Sequence, residues 1–333
     1  MTPGRAVRDT AGVDQEALRR RREQARRRVR RQRLAAAVAA VALVALLVAG
    51  VAMVGGDGAQ DANGVSAEET RPAQLPRGGR RILPSNRVVA YYGAPQDREL
   101  GILGIGPPRL AARRLERQAR PYQRRGRPVL PAFELIAAIV TSEPGDGGDH
   151  SIRQTPKVIS RYLRAARAND MLLVLDIQPG YAPFLGEAQA LERFLKEPDV
   201  SLALDPEWSM DPGELPGDSI GETDAETINE VSRYLAGLVR RYDLPQKLLV
   251  IHRFTGDMIE DEDLLEHHPG VALVVNVDGF GDQPNKISKY REFTRGQRDR
   301  HHGFKLFYNE DVNLMRPRQV LRLRPEPDLV VYE

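Results

Sequence analysis

Acidic and amide side chains recur at the ends of short apolar runs in this chain, spaced so that neighbours share a face. In Leu-Asp-Ile-Gln, Asp176 and Gln178 lie two residues apart and project the same way from a strand. In Leu-Asp-Pro-Glu-Trp, Asp205 and Glu207 do the same, with Trp208 beside them. Other runs carry Glu134, reach His252 and Phe254, end in Asn276 and Asp278 before Gly279-Phe280-Gly281, or lead into Tyr308, Asn309 and Glu310. The first run ends in Tyr91, Tyr92 and Gly93. Paired carboxyls, one neutral and one ionised, suit proton transfer at a glycosidic bond, and aromatic rings offer faces for sugars. The candidate catalytic groups are therefore Glu207, Asp205, Asp278, Asp176 and Glu310. The candidate substrate-binding groups are Tyr92, Glu134, Gln178, Trp208, His252, Asn276, Phe280, Tyr308 and Asn309. A lone carboxylate at a strand end is usually a helix cap or an ion-pair partner. Acids at five strand ends converging on one cavity repel each other, and that cost points to a use.

The elements that must hold these residues follow from the hydrophobic pattern. Eight apolar runs read as strands: Val88–Tyr92, Val129–Leu135, Met171–Gln178, Ser201–Glu207, Lys247–Phe254, Val271–Asp278, Phe304–Tyr308 and Asp328–Tyr332. Pro206 cannot donate to a ladder, so the fourth strand should stop there and leave Glu207 on the rim. Between the strands, helical spacing predicts Leu110–Tyr122, Pro156–Ala168, Glu187–Leu195 and Asp224–Tyr242, with short segments at Glu260–Glu266, Ile287–Phe293 and Pro317–Leu323. Thr223 with Glu226 has the spacing of a capping box. The alternation predicts an α/β fold, a (β/α)8 TIM-like barrel, whose site forms at the carboxyl ends of the strands. No helix follows the eighth run, so either the barrel lacks its last helix or part of the preceding linker covers the gap. An open doubly wound sheet is the other fold, without a Gly-rich nucleotide turn to support it.

The charge is distributed unevenly. Residues 1–33 hold 12 Arg against Asp9, Asp14, Glu16 and Glu23, so the net +3 of the chain is a property of this tail and the remainder is net acidic. Leu34–Val54 is an uncharged apolar run of the ~20 residues that a helix needs to cross a bilayer. With arginines before it and Asp57 after it, the positive-inside rule predicts a single-pass anchor with a cytoplasmic N-terminus. The organisation expected is a cytoplasmic Arg-rich tail (1–33), a transmembrane helix (34–54), a flexible linker (55–85) and an extracytoplasmic barrel (86–333). The tail should meet anionic lipid head groups, and its arginines are explained without nucleic acid. There is no cysteine, hence no disulfide, thiolate metal site or lipidated cysteine.

A family resemblance adds a role for some of these residues. Val-Val-Ala-Tyr-Tyr-Gly at 88–93 resembles the first strand of chitinase-type glycoside hydrolase barrels, and Asp205-Pro206-Glu207 is similar to the last Asp-x-Glu of their fourth strand. The resemblance implies Glu207 as general acid, Asp205 as its orienting partner and Tyr308 as a contact to an N-acetyl group. It covers only these short stretches, and strand four here reads Ser-Leu-Ala-Leu-Asp-Pro-Glu-Trp without the longer acidic signature. The wider chain resembles uncharacterised actinobacterial membrane-anchored proteins, which implies no mechanism. The partner expected is a cell-envelope glycan, either hydrolysed or, in a non-catalytic reading, only bound or scaffolded. A metal-dependent hydrolase using His252 with Asp176, Asp205 and Asp278 is a further alternative. No local metal-ligand spacing, Walker loop or Gly-x-Ser-x-Gly supports a metal, nucleotide or serine centre, so no cofactor is expected.

Overall fold

In the computed structural model, residues 72–145, 147–297 and 300–333 are described. Eleven strands follow in chain order: β1 (Arg87–Gly93), β2 (Val129–Val140), β3 (Ser151–Arg153), β4 (Leu172–Ile177), β5 (Val200–Leu204), β6 (Thr223–Asp224), β7 (Lys247–Arg253), β8 (Ile259–Glu260), β9 (Val271–Val277), β10 (His301–Leu306) and β11 (Leu329–Tyr332). Eight of them, β1, β2, β4, β5, β7, β9, β10 and β11, pair in parallel within one sheet, and β1 bonds to both β11 and β2. The sheet therefore closes on itself, and the α/β barrel expected from the alternation is present. An open doubly wound sheet is excluded.

Alternation along each strand divides the core in two. Val88, Ala90, Leu130, Ala132, Val174, Leu248, Val250 and Val331 fill the barrel lumen. Val89, Phe133, Leu173, Leu249 and Val330 face outward and pack under the helices. The longest helix, Ala225–Arg241, buries Ile228, Val231, Leu235 and Leu238, the stripe expected of a 3.6-residue repeat. Its cap is Asp224, whose carboxylate accepts the Thr227 amide at 2.7 Å, rather than Thr223, because Thr223 and Asp224 are held as β6 against β8. Helix Pro156–Arg167 buries Ile159, Tyr162, Leu163 and Ala166. Helix Pro108–Ala119 begins at a proline, whose fixed φ and missing N–H suit a first turn.

The pattern departs from a regular barrel in four places. The second strand runs on to Val140 through a register shift between Ile136 and Ala138, and its extension pairs with β3 antiparallel. The segment expected as helix Glu260–Glu266 is instead β8 and a single 3-10 turn at Glu262–Leu264; Leu264 is exposed, so no apolar stripe exists to hold a helix down. Glu187–Leu195 divides into Phe184–Ala190 and Glu192–Leu195, and Pro317–Leu323 shortens to Pro317–Val320. The outer side of β11 is covered by tyrosines. The hydroxyls of Tyr122 and Tyr332 meet at 2.5 Å, and Tyr308 stacks on Tyr332 at 5.3 Å between ring centres.

Residues 72–85, expected as the end of the flexible linker, belong to the folded body. Leu75, Ile82 and Leu83 are buried against the lumen residues, across the amino ends of the strands. The Gln246 side-chain oxygen accepts the amides of Ile82 at 2.7 Å and Leu83 at 2.9 Å, and Arg77 donates to the carbonyls of Val129 and Asp170. This segment plugs the lower end of the lumen. Beside it Lys247, fully buried at the start of β7, donates to the carbonyls of Glu197 at 2.9 Å and Val200 at 2.6 Å. The Arg-rich tail and the run Leu34–Val54 lie outside the described residues. Among the described residues no helix is long and apolar enough to cross a membrane.

Candidate functional site

Continued toward the carboxyl ends of the strands, the alternation that lines the lumen with valine and alanine brings in polar residues. Register sets Tyr92 of β1 level with Glu134 of β2, and His252 of β7 level with Asn276 of β9. Asp176 on β4, Asp205 after β5, Asp278 after β9 and Lys305 on β10 join them, all at most 6% exposed. Thus Glu134, Asp176, Asp205, Asp278, Tyr92, His252 and Asn276 are brought together, as read from the strand ends.

The bonds within the cluster form two linked sets. Tyr92 donates its hydroxyl to Asp176 at 3.0 Å, lies 3.4 Å from Asp205, and accepts from the Gln178 amide at 3.1 Å. His252 lies between two carboxylates, with Nδ1 at 2.8 Å from Asp278 and Nε2 at 3.0 Å from Glu134. Asp278 also accepts Lys305 Nζ at 3.1 Å and the Gly279 amide at 2.7 Å. Lys305 pairs in turn with Glu333 at 2.7 Å and sits 3.9 Å above the Tyr92 ring. Asn276 fits beside His252 because β10 has glycine there; a Cβ on Gly303 would meet Asn276 Oδ1 at 2.3 Å.

Six carboxyl groups, those of Glu134, Asp176, Asp205, Glu207, Asp278 and Glu333, thus surround two cationic groups, Lys305 and His252. Burial opposes charge on Asp176, Asp205, Glu207, Asp278, His252 and Lys305, and the local partners decide the outcome. Burial pushes Asp176 up to about 6, although the His252 charge acts against it. Burial and then the Glu207 charge raise Asp205 well above the usual carboxylate range. Burial and then the Asp278 charge push Glu207 up to about 7. Burial would raise Asp278 too, but Lys305 and His252 outweigh it and hold that carboxyl below the usual range. Burial disfavours the imidazolium, but the bonds from Asp278 and Glu134 overcome this and keep His252 protonated. Lys305 is likewise held as an ammonium by Asp278 and Glu333 against its burial. A protonated amine has no lone pair for attack on a carbonyl.

Glu207 occupies a different level. Strand β5 stops at Leu204, and Pro206–Trp208 form one 3-10 turn that leaves Glu207 and Trp208 half-buried at the mouth. Phe280, 67% exposed on the loop after β9, touches Phe307 edge-on at 6.0 Å. Three expected residues are not in the cluster. Tyr308 packs outside the barrel on Tyr332 and Tyr91, since Lys305 faces inward and Phe307 follows it, leaving 308 in the opposite phase. Asn309 and Glu310 are exposed on the turn beyond it. The acid that ties this turn to the neighbouring loop is Asp311, which accepts the amides of Gly281 and Phe307 and pairs with Lys286 at 3.0 Å.

Lys305 and Glu333 were missed by the strand-end reading. A lysine inside Phe-Lys-Leu-Phe, in a strand otherwise apolar, was the available signal, as was the acid closing Leu-Val-Val-Tyr-Glu. The expectation of no metal rested on local spacing, whereas the barrel assembles distant residues: one ligand atom each from Glu134, Asp176 and His252 lie within 4.8 Å of one another.

No family model and no curated protein matches the chain. Among solved structures, a spore coat polysaccharide biosynthesis protein of Bacillus subtilis aligns at TM-score 0.41 and 11% identity, over 74% of this chain and 59% of that one. A cellulose synthase subunit Z of Clostridioides difficile aligns at TM-score 0.42 and 10% identity, over 75% and 91% of the two chains. A sialic acid aldolase of Ruminococcus gnavus aligns at 0.37 and 11%, over 74% and 68%. At this level of similarity none of the three bears on what the chain does.

Proposed function

We propose that this chain is a membrane-tethered, extracytoplasmic protein that cleaves a cell-envelope polysaccharide, with Glu207 as the proton donor. The observation that carries this reading is the contrast between two neighbouring carboxyls. Glu207, half-buried at the mouth, is pushed up to about 7 and so keeps a proton to give near neutral pH. Asp278, bonded by Lys305, His252 and the Gly279 amide, stays ionised. A neutral carboxyl and an ionised one whose charge acts on it offer the acid and the base, or nucleophile, that glycoside hydrolysis requires. In that step Glu207 gives its proton to the departing glycosidic oxygen as the bond breaks. Asp278 meets the positive charge that develops on the sugar ring, either directly or through a water that it deprotonates. Trp208 and Phe280 at the mouth offer apolar faces for sugar rings. The tether rests on Leu34–Val54 and the arginines before it.

One observation favours a second reading, a non-catalytic glycan-binding or scaffold protein: the floor beneath Glu207 is almost closed, with Asp176 and Asn276 at 0% exposure. The two readings separate when the full chain in detergent is incubated with peptidoglycan and with chitin-type oligosaccharides. New reducing ends that disappear in Glu207→Gln support the proton donor. Release that survives the substitution moves the acid elsewhere. Binding without release turns the protein into a tethered glycan binder.

A further inference from the structure

The pit below Glu207 holds more buried acid than its two cationic groups offset, and its base, formed by Glu134, Asp176, Asp205 and His252, is too closed to admit a sugar. Glu134 and His252 are each 1% exposed, Asp176 0% and Asp205 2%. Three of the buried acids also have an oxygen with no hydrogen-bond partner: Glu134 Oε2, Asp176 Oδ1 and Asp205 Oδ1. An unpartnered carboxylate oxygen in such surroundings must take up either a proton or a cation.

The orientation of His252 favours the cation. Asp278 accepts Lys305 Nζ on the same oxygen that faces His252 Nδ1, at 3.1 and 2.8 Å, so it is an acceptor toward both and Nδ1 carries a hydrogen. Nε2 is then the atom turned toward Glu134 Oε1, 3.0 Å away, and its proton is the one that a cation bound there displaces. A carboxylate holding one ring nitrogen so that the other faces an acidic group is the arrangement that orients histidine ligands at metals. Two ligand atoms each about 2.1 Å from one ion and at right angles lie about 3.0 Å apart, the separation of Nε2 from Glu134 Oε1, and one ligand atom from each of the three residues lies within 4.8 Å of the others.

We propose that Glu134, Asp176 and His252 bind one divalent first-row transition cation on the floor of the barrel, with Asp278 as the residue that positions the imidazole. One imidazole nitrogen with carboxylate oxygens suits Zn2+, Mn2+ or Fe2+ better than the all-oxygen sites of Mg2+ or Ca2+. Lys305 Nζ is bonded to Asp278 and Glu333, neither of which is one of the three proposed ligands. The inference goes beyond the polysaccharide reading and does not depend on Glu207.

The test uses the full chain in detergent, stripped with EDTA and dialysed against Zn2+, Mn2+ or Mg2+, with bound metal measured by mass spectrometry. Retention of one equivalent of Zn2+ or Mn2+, and not Mg2+, is the expected result. Asp278→Asn should weaken that binding by about 10–100-fold, and Asp176→Asn with Glu134→Gln should abolish it. Because those variants can misfold, Co2+ is also added to the unaltered chain, where a nitrogen–oxygen site gives visible d–d bands that Zn2+ removes. Folded wild-type chain with no stoichiometric uptake and no Co2+ bands overturns the proposal, as does uptake unchanged in the folded double variant. Glycan release plays no part in these readouts, so failure of the proton-donor reading leaves this one standing.

Discussion

Replacing Lys305 by methionine removes the ammonium on which Asp278 and Glu333 depend while keeping much of the apolar stem. Lys305 is 3% exposed and bonds these carboxylates at 3.1 and 2.7 Å, so no solvent can take its place. Removing one partner of a buried pair costs about 3–5 kcal/mol, because the other charge stays behind uncompensated. For a domain of this size that corresponds to a fall in Tm of about 6–20 °C. The loss should depend on pH in a defined direction. Asp278 is held below its unfolded range, so its contribution is present above about pH 4 and lost as pH falls through the lower folded value. In Lys305→Met the Lys305 share of that contribution is absent while His252 and the Gly279 amide still act, so the deficit should be largest at pH 7 and shrink below pH 4. Urea unfolding of wild type and variant at both pH values, with EDTA present, measures it. A deficit under about 1 kcal/mol at pH 7, or one that grows toward acid, would refute the ion-pair account.

Three other perturbations follow from the same geometry. Glu207 has a raised folded value near 7, so the stability it contributes below its unfolded pKa is lost as pH climbs to 7; Glu207→Gln should raise stability at pH 8 by up to about 3 kcal/mol and leave pH 4 unchanged, as read by Tm across pH. Gly303→Ala drives a Cβ onto Asn276 Oδ1 and into the His252 network; a loss of about 1–3 kcal/mol is expected by urea unfolding, and a neutral result means that Asn276 moves freely. Ile82→Ala empties a fully buried position in the lower plug and should cost about 2–5 kcal/mol, whereas a flexible linker would show no change in Tm.

Much of the barrel could be read from the chain because its strands are apolar on both faces and its acids stand where those runs stop. The alternation that made Asp176 and Gln178 neighbours also set Asp205, His252 and Asn276 inward, and Pro206 ended β5 short of Glu207. Phase failed where the strand limits were wrong. Reading β10 as 304–308 rather than His301–Leu306 drew attention to Tyr308 and Glu310 and away from Lys305, whose ammonium is the centre of the charge network. The plug at 72–85 is rich in arginine, proline and glycine and has no period, so its three anchoring apolar side chains stood out only against the lumen that they fill. The grouping of Glu134, Asp176 and His252 depends on closure of the sheet, which no local window contains.

Lys247 gives the lower end of the barrel a proton preference opposite to that of the mouth. Burial lowers its amine from 10.5 to about 7, so folding is disfavoured increasingly as pH falls from about 10 to 7, where the unfolded chain takes up a proton that the folded one refuses. At the other end, Asp176 and Glu207 add their cost as pH rises from about 4 toward 7. Across these groups the two costs meet near neutrality. Acid relieves the carboxyl ends of the strands, alkali relieves the amino ends, and amide exchange should therefore reveal two regions that loosen in opposite pH ranges.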